Sequence, residues 1–242
     1  MFRVLNRAVL APVAGLTLGT ALFIRTWPTE AGAITLNDAV VPHMRSTRQV
    51  QRPDILKKIS ETEIYNKLLN NPNMSHLVQS EKIPSGHRDY HVGQGELFGA
   101  EKLEIDPLIF YNEKDGELVV FYHLGKGLGN EKGSVHKGIL SLLLDEGLCY
   151  CGFPKLPSKR GVTARLDLNF TNDLPADSTV VLRASIAETK GRKCVIEGTL
   201  ETLPTKYWMT GKEAKTGTVI AEANCILVEP KWFKYLKWVD LF

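Results

Sequence analysis

No acidic residue precedes Glu30 in this 242-residue chain, and the stretch before it carries Arg3 and Arg7 ahead of an apolar run over residues 8–24. An acid-poor, Arg-bearing start has the character of a mitochondrial presequence. The apolar run is near the lower length limit for spanning a bilayer, and Pro12 weakens it as a helix. Three readings fit residues 1–40: a mitochondrial targeting segment kept as an inner-membrane anchor with a linker, a presequence that is cleaved away, or a secretory signal ending at Ala31-Gly-Ala33. The four cysteines, Cys149, Cys151, Cys194 and Cys225, contain no C-x-x-C pair. A reducing compartment without a disulfide framework is the expected reading, and it argues against the secretory signal. Net charge is only +3, with no long Lys/Arg block, so there is no nucleic-acid footprint. Gly125-Lys-Gly127-Leu-Gly129 fits neither the Walker nor the dinucleotide spacing. His87 and His91 have zinc-like spacing but no third ligand, and the glycines around them argue against a helix, so no metal is expected.

An apolar share of 43% is ample for a core. Pro53 to Leu69 reads as a helix, with Ser60-Glu-Thr-Glu63 as a capping box. Beyond a Gly/His/Pro-rich stretch, period-two alternation marks strands. They run through Leu118–Leu124, Val162–Phe170, Val180–Ile186, Cys194–Leu200 and Val219–Leu227. Short links between consecutive strands favour an antiparallel meander. Between the first and second of these strands, Val135 to Leu148 reads as a helix that is apolar all round, which marks a core helix. Asp145-Glu146 interrupts it, and a carboxylate in such a place is expensive unless partnered. The expected class is α+β: a hotdog fold, a curved antiparallel sheet wrapped around a central apolar helix. The sheet's outer face or edge is expected to pair with a second copy, giving a homodimer or a dimer of dimers.

The motifs Val135-His136-Lys-Gly138, Leu144-Asp145-Glu146-Gly and Gly161-Val-Thr163 through Phe170 resemble the acyl-CoA thioesterases of the hotdog superfamily. The nearest branch is the mitochondrial thioesterase-superfamily-member type and its fungal relatives. The Gly191-Arg192-Lys193 turn and the ending Ala221 to Pro230 fit the same pattern. The likeness covers about residues 50–230. It implies hydrolysis of acyl-CoA to free acid and CoA without a cofactor, with Asp145 as nucleophile or general base and Thr163 as the strand hydroxyl. A backbone N–H at the helix start, formed by His136, Lys137 and Gly138, polarises the carbonyl. Lys137 stands where the family has its first glycine. Lys137, Arg192 and Lys193 are candidate contacts for CoA phosphates.

Helix geometry constrains that assignment. Gly138 and Asp145 share a face but lie about 10 Å apart, too far to serve one carbonyl carbon. Each site is therefore expected to combine one subunit's helix start with the other's Asp145. His136 is read as a positioning residue, and Glu146 as facing solvent or the dimer contact. Cys149 is read as packing. The tail over 231–242 is basic and aromatic, with Trp232, Tyr235, Leu236 and Val239 on one helical stripe, so it and residues 8–24 are candidate membrane contacts. The alternative to an enzyme is a non-catalytic hotdog binding or assembly protein of the mitochondrial membrane.

Overall fold

The computed structural model describes residues 52–204 and 216–235. The expectations for residues 1–40 and for the end of the tail, 236–242, lie outside them. Helices α1 (Pro53–Ser60) and α2 (Glu63–Leu69) come first, followed by β1 (Ser75–Val78) and the single-turn helices α3 (Gln79–Lys82) and α4 (Ser85–Arg88). Then come β2 (Leu108–Asn112), β3 (Glu117–Leu124), the central helix α5 (Lys137–Gly152) and four strands: β4 (Val162–Phe170), β5 (Ser178–Lys190), β6 (Lys193–Thr202) and β7 (Val219–Val228). The seven strands form one antiparallel sheet in the order β1-β2-β3-β5-β6-β7-β4.

The sheet curves around α5, the hotdog arrangement expected from the sequence. Leu140, Leu143, Leu144 and Leu148 are buried against the inner residues Leu182, Ile196, Cys225 and Leu227. Two glycines let the helix lie close. A Cβ on Gly147 would meet Leu182 at 2.8 Å, and one on Gly152 would meet Ile196 and Leu227 at 2.7 Å. The helix is not buried all round, however. Leu142, Asp145 and Cys149 are only half-buried and mark a face that the described residues leave partly uncovered.

Several sequence expectations are corrected. The first helix is two, because Ser60 turns back to donate to the Lys57 carbonyl at 2.7 Å instead of capping. Thr62 caps α2, accepting from the Tyr65 N–H at 3.3 Å. The two helices cover the outer face of β2, β3 and β5 with a second core of Ile55, Leu56, Ile59, Ile64, Tyr65, Phe110, Val119, Phe121 and Val181. That part of the outer face is therefore closed to a second copy. The strand run is not a simple meander either. β4 crosses to the far edge beside β7, and β5 takes the place next to β3. A helical turn, α4, does form at Ser85–Arg88 despite the neighbouring glycines.

Arg52 ties α1 to the sheet. Its Nη1 lies 2.7 Å from Glu104 and 3.3 Å from Asp177. His123, 2% exposed, sits beneath with its Nε2 at 3.2 Å from Glu104 and 3.1 Å from Asp177.

Candidate functional site

The start of α5 is held from both sides. The Val135 N–H donates to the Leu174 carbonyl at 2.8 Å and the His136 N–H to the Leu128 carbonyl at 3.0 Å. His136 is extended and serves as the N-cap. Its Nδ1 accepts from the Gly138 N–H at 3.0 Å. The Ile139 N–H is taken by the His136 carbonyl at 2.9 Å. The Gly138 N–H is thus already engaged within the chain. The Lys137 N–H, at the first helical position, meets no acceptor among the described residues, and the helix dipole adds positive potential there. The Lys137 ammonium is drawn aside, 3.8 Å from Asp173 and 5.4 Å from the centre of the Phe170 ring.

Two turns on, the Thr163 hydroxyl donates to Asp145 Oδ1 at 2.9 Å. α5 thus runs antiparallel to β4: Lys137 lies by Phe170 and Asp145 by Thr163. Helix rise separates the Lys137 N–H from Asp145 by about 12 Å, so one protomer does not bring them together. Cys149, one turn after Asp145, places its sulfur 3.2 Å from the Thr163 oxygen and 4.0 Å from Asp145 Oδ1. The neighbouring thiol of the buried Cys225 on β7, with help from Thr163, holds the Cys149 pKa below its ordinary value. The Cys149 thiol and burial push the Cys225 thiol up. The packing role expected of Cys149 is thus incomplete, because its neighbours are the carboxylate and hydroxyl of the candidate site.

Glu146 does not face solvent. It is covered by α3 and the loop after α4, where Gln79 Nε2 donates to Oε2 at 3.3 Å and the Gly93 N–H also donates. Burial raises its pKa to about 7, with a smaller push from the Asp145 charge. His91 Nε2 lies 3.8 Å from Oε1, and burial lowers the imidazole's pKa.

Arg192 and Lys193 sit in the β5–β6 turn, opposite Val228 and next to the start of β4. Arg192 Nη1 donates to the Glu229 carbonyl at 2.7 Å. Within one protomer these two lie at the opposite end of β4 from Lys137, so the three proposed phosphate contacts do not converge. Among the described residues one group has metal-ligand types in reach of one another, Glu104, His123 and Asp177. The Arg52 guanidinium already pairs with both carboxylates there and supplies the positive charge a cation would bring. Nothing in the sequence signalled this cluster, since its members come from three separate stretches. Among the described residues no helix is long and apolar enough to cross a membrane. Lys231–Tyr235 forms a 3-10 turn, with Trp232 exposed.

No protein-family model matches the chain. It is 53% identical to "MIOREX complex component 3" of Saccharomyces cerevisiae over all of this chain and 97% of that protein. It is 44% identical to an "Uncharacterized protein, mitochondrial" of Candida albicans over 100% of both chains. A more distant relative, the rat "Acyl-coenzyme A thioesterase THEM4", is 26% identical over 44% of this chain and 45% of its own. Similar solved structures include a thioesterase superfamily protein at 22% identity and TM-score 0.40, covering 51% of this chain and 53% of that one. Another is the E. coli PaaI protein at 17% identity and TM-score 0.37, covering 48% and 74%.

Proposed function

We propose that this chain, which belongs to the family of yeast MIOREX complex component 3, is a homodimeric acyl-CoA thioesterase of the mitochondrion. The observation that carries the reading is the Asp145 carboxylate aligned by the Thr163 hydroxyl at 2.9 Å on the partly uncovered face of α5. The mitochondrial placement follows the Candida relative's name and the acid-poor N-terminus. The distant likeness to a named acyl-CoA thioesterase agrees with the chemistry.

Asp145 takes a proton from water as the water oxygen bonds to the thioester carbonyl carbon. Charge builds on the carbonyl oxygen, and the Lys137 N–H stabilises it through a fixed dipole. Collapse breaks the C–S bond, and the CoA thiolate leaves and takes the proton from Asp145. Attack by Asp145 itself through a mixed anhydride uses the same groups. The Lys137 side chain does not block this donor, because Asp173 and Phe170 draw its ammonium away.

A second protomer resolves the 12 Å separation. β4 is an edge strand with no buried residue, although it carries Val162, Leu166, Leu168 and Phe170. Open apolar edges invite pairing. A two-fold antiparallel pairing of two β4 edges would set Phe170 of one copy across from Val162 of the other. That brings one copy's Lys137 beside the other's Asp145, Thr163, Arg192 and Lys193. The dimer reading thus also unites the phosphate contacts that one protomer keeps apart.

The test is hydrolysis of acyl-CoAs of graded chain length by the purified protein. Activity that falls at least a thousandfold in Asp145→Asn, a loss on the order expected for removing a catalytic base, supports the reading; no hydrolysis at any chain length overturns it. The second reading, a non-catalytic assembly role, is favoured by the relative's name as a complex component. It predicts a fold and partners unchanged by Asp145→Asn.

A further inference from the structure

The turn between β5 and β6, the end of β7 and the start of β4 meet at one end of the sheet. Lys190 stands opposite Lys193 across that turn, Lys193 opposite Val228, and Val228 opposite Val162. Cys194 and Leu227 point into the core, so their neighbours Lys193 and Val228 point outward. Directly opposed residues share a face, and two ammonium groups and two valines therefore form one row on the outer side, with Val162 46% exposed. Beyond Val228 the chain passes through Pro230 into the turn Lys231–Tyr235, where Lys231 is exposed and Trp232 is 56% exposed. We propose that this end of the sheet docks on an anionic phospholipid bilayer, with Lys190, Lys193 and Lys231 at the headgroups and Trp232 entering between them. The proposal does not depend on the hydrolase reading.

The exposed indole is held in place. Trp232 meets Phe233 edge to face, with ring centroids 4.5 Å apart and an interplanar angle of 78°. The Phe233 N–H donates to the Pro230 carbonyl at 3.1 Å. An indole, apolar in body with one N–H, suits the layer between headgroups and acyl chains. The carboxylate between Val228 and Pro230 is turned inward: Glu229 is 5% exposed and accepts from the Ser158 N–H at 2.8 Å. It brings no exposed negative charge to the headgroups. The cations come from two separate stretches and are spread out, with aliphatic side chains and the indole among them. A fluid anionic surface can bring a headgroup to each of them, whereas a pocket for one phosphate would gather them on a single point.

Charge also sets the orientation. Glu188, opposite Val195 on the outer face, lies about 7 Å along β5 from Lys190 and offsets one cation. Further along the strands the outer face turns acidic at the exposed Glu197 and Glu222. Glu197 is about 13 Å along β6 from Lys193, beyond the Debye length of about 8 Å at physiological salt. Contact through the end of the sheet, with the strands steep to the bilayer, puts the cations on the headgroups and holds both acids clear. A sheet lying flat would press Glu197 and Glu222 onto anionic lipid.

The experiment titrates the full chain with vesicles of phosphatidylcholine alone, or with about 30% phosphatidylglycerol added. The ratio of the two partition coefficients is the readout, so uncharged anchoring by any other segment cancels. Each cation at an anionic surface is worth about fivefold. Lys190→Gln combined with Lys231→Gln should therefore lower the ratio about 25-fold at about 0.1 M salt. Lys57→Gln with Lys58→Gln, on α1, should leave it unchanged. Trp232→Ala should weaken binding to the anionic vesicles while keeping its salt dependence. Hydrogen exchange on those vesicles should slow over residues 188–194 and 230–235. A native ratio of one, a ratio untouched by the Lys190 and Lys231 changes, or protection confined to other surfaces overturns the proposal. A ratio of one with self-association that the same double variant abolishes assigns the surface to a second copy instead.

Discussion

At the scale of single residues, two adjacent carboxylates on α5 have opposite environments. Asp145 is half-buried against the Thr163 hydroxyl on an open edge strand, while Glu146 is tucked under α3 and the loop after α4. A buried acid with a pKa near 7 makes a specific stability statement. Its folded pKa lies above the ordinary 4.5, so the folded state binds more protons than the unfolded chain between those values. Stability is then lost as pH rises through about 7. Glu146→Gln removes the ionisation, so its stability relative to the native chain should rise between pH 5 and pH 8 by on the order of 2 to 3 kcal/mol. Urea midpoints at the two pH values check this, and a pH-independent difference would contradict it. Asp145 and Thr163 were legible in the sequence because motif spacing carries them. The environments of Glu146, Cys149 and Cys225 were not, because each depends on a partner distant in the chain.

At the scale of elements, the start of α5 concentrates the catalytic argument into one N–H. Proline is well accepted at the first position of a helix and lacks that donor. His136 before it is already extended, at φ −64° and ψ 129°, as a residue before proline must be. Lys137→Pro should therefore keep the fold by circular dichroism while lowering kcat by about a hundredfold or more. Lys137→Ala, which keeps the N–H, should not.

The outer layer makes a separate prediction. Ile59 is fully buried between α1 and the sheet, so Ile59→Ala should cost about 2 to 5 kcal/mol. Chemical denaturation measures that cost. Strands β4 to β7 were legible because their two faces differ, and β3, buried from Leu118 to Leu124, because its run of β-formers is long. β2 was missed because all five of its residues are buried, so it has no alternation to read. β1 is only four residues long, too short for a period. The break between α1 and α2 escaped notice because two threonine and serine candidates compete for the cap, and only the fold selects Thr62.

At the scale of the whole molecule, the sheet is covered on its inner face by α5 and on part of its outer face by α1 and α2. Among the described residues the β4 edge is left open. If that edge pairs two copies, each site takes its helix start from one protomer and its carboxylate from the other. Mixing Asp145→Asn protein with Lys137→Pro protein, each inactive alone, should then restore about one quarter of native activity. Half of the dimers would be mixed, and each mixed dimer would have one intact site. Complementation that never exceeds the sum of the parents would place both groups within one chain. Sedimentation of the native protein at twice the chain mass is the companion measurement.

The sequence by itself determined the alternation of the strands, the apolar helix between them, and the His136-to-Asp145-to-Thr163 spacing that names the candidate groups. Those are local or periodic properties, written in neighbouring residues. Only the tertiary structure shows the Gly138 N–H donating to His136 and the Lys137 N–H without an acceptor among the described residues. It alone buried Glu146, closed part of the outer face with α1 and α2, and set Cys149 against Thr163. Each of these joins groups far apart along the chain or selects among competing partners, and that choice is made by packing.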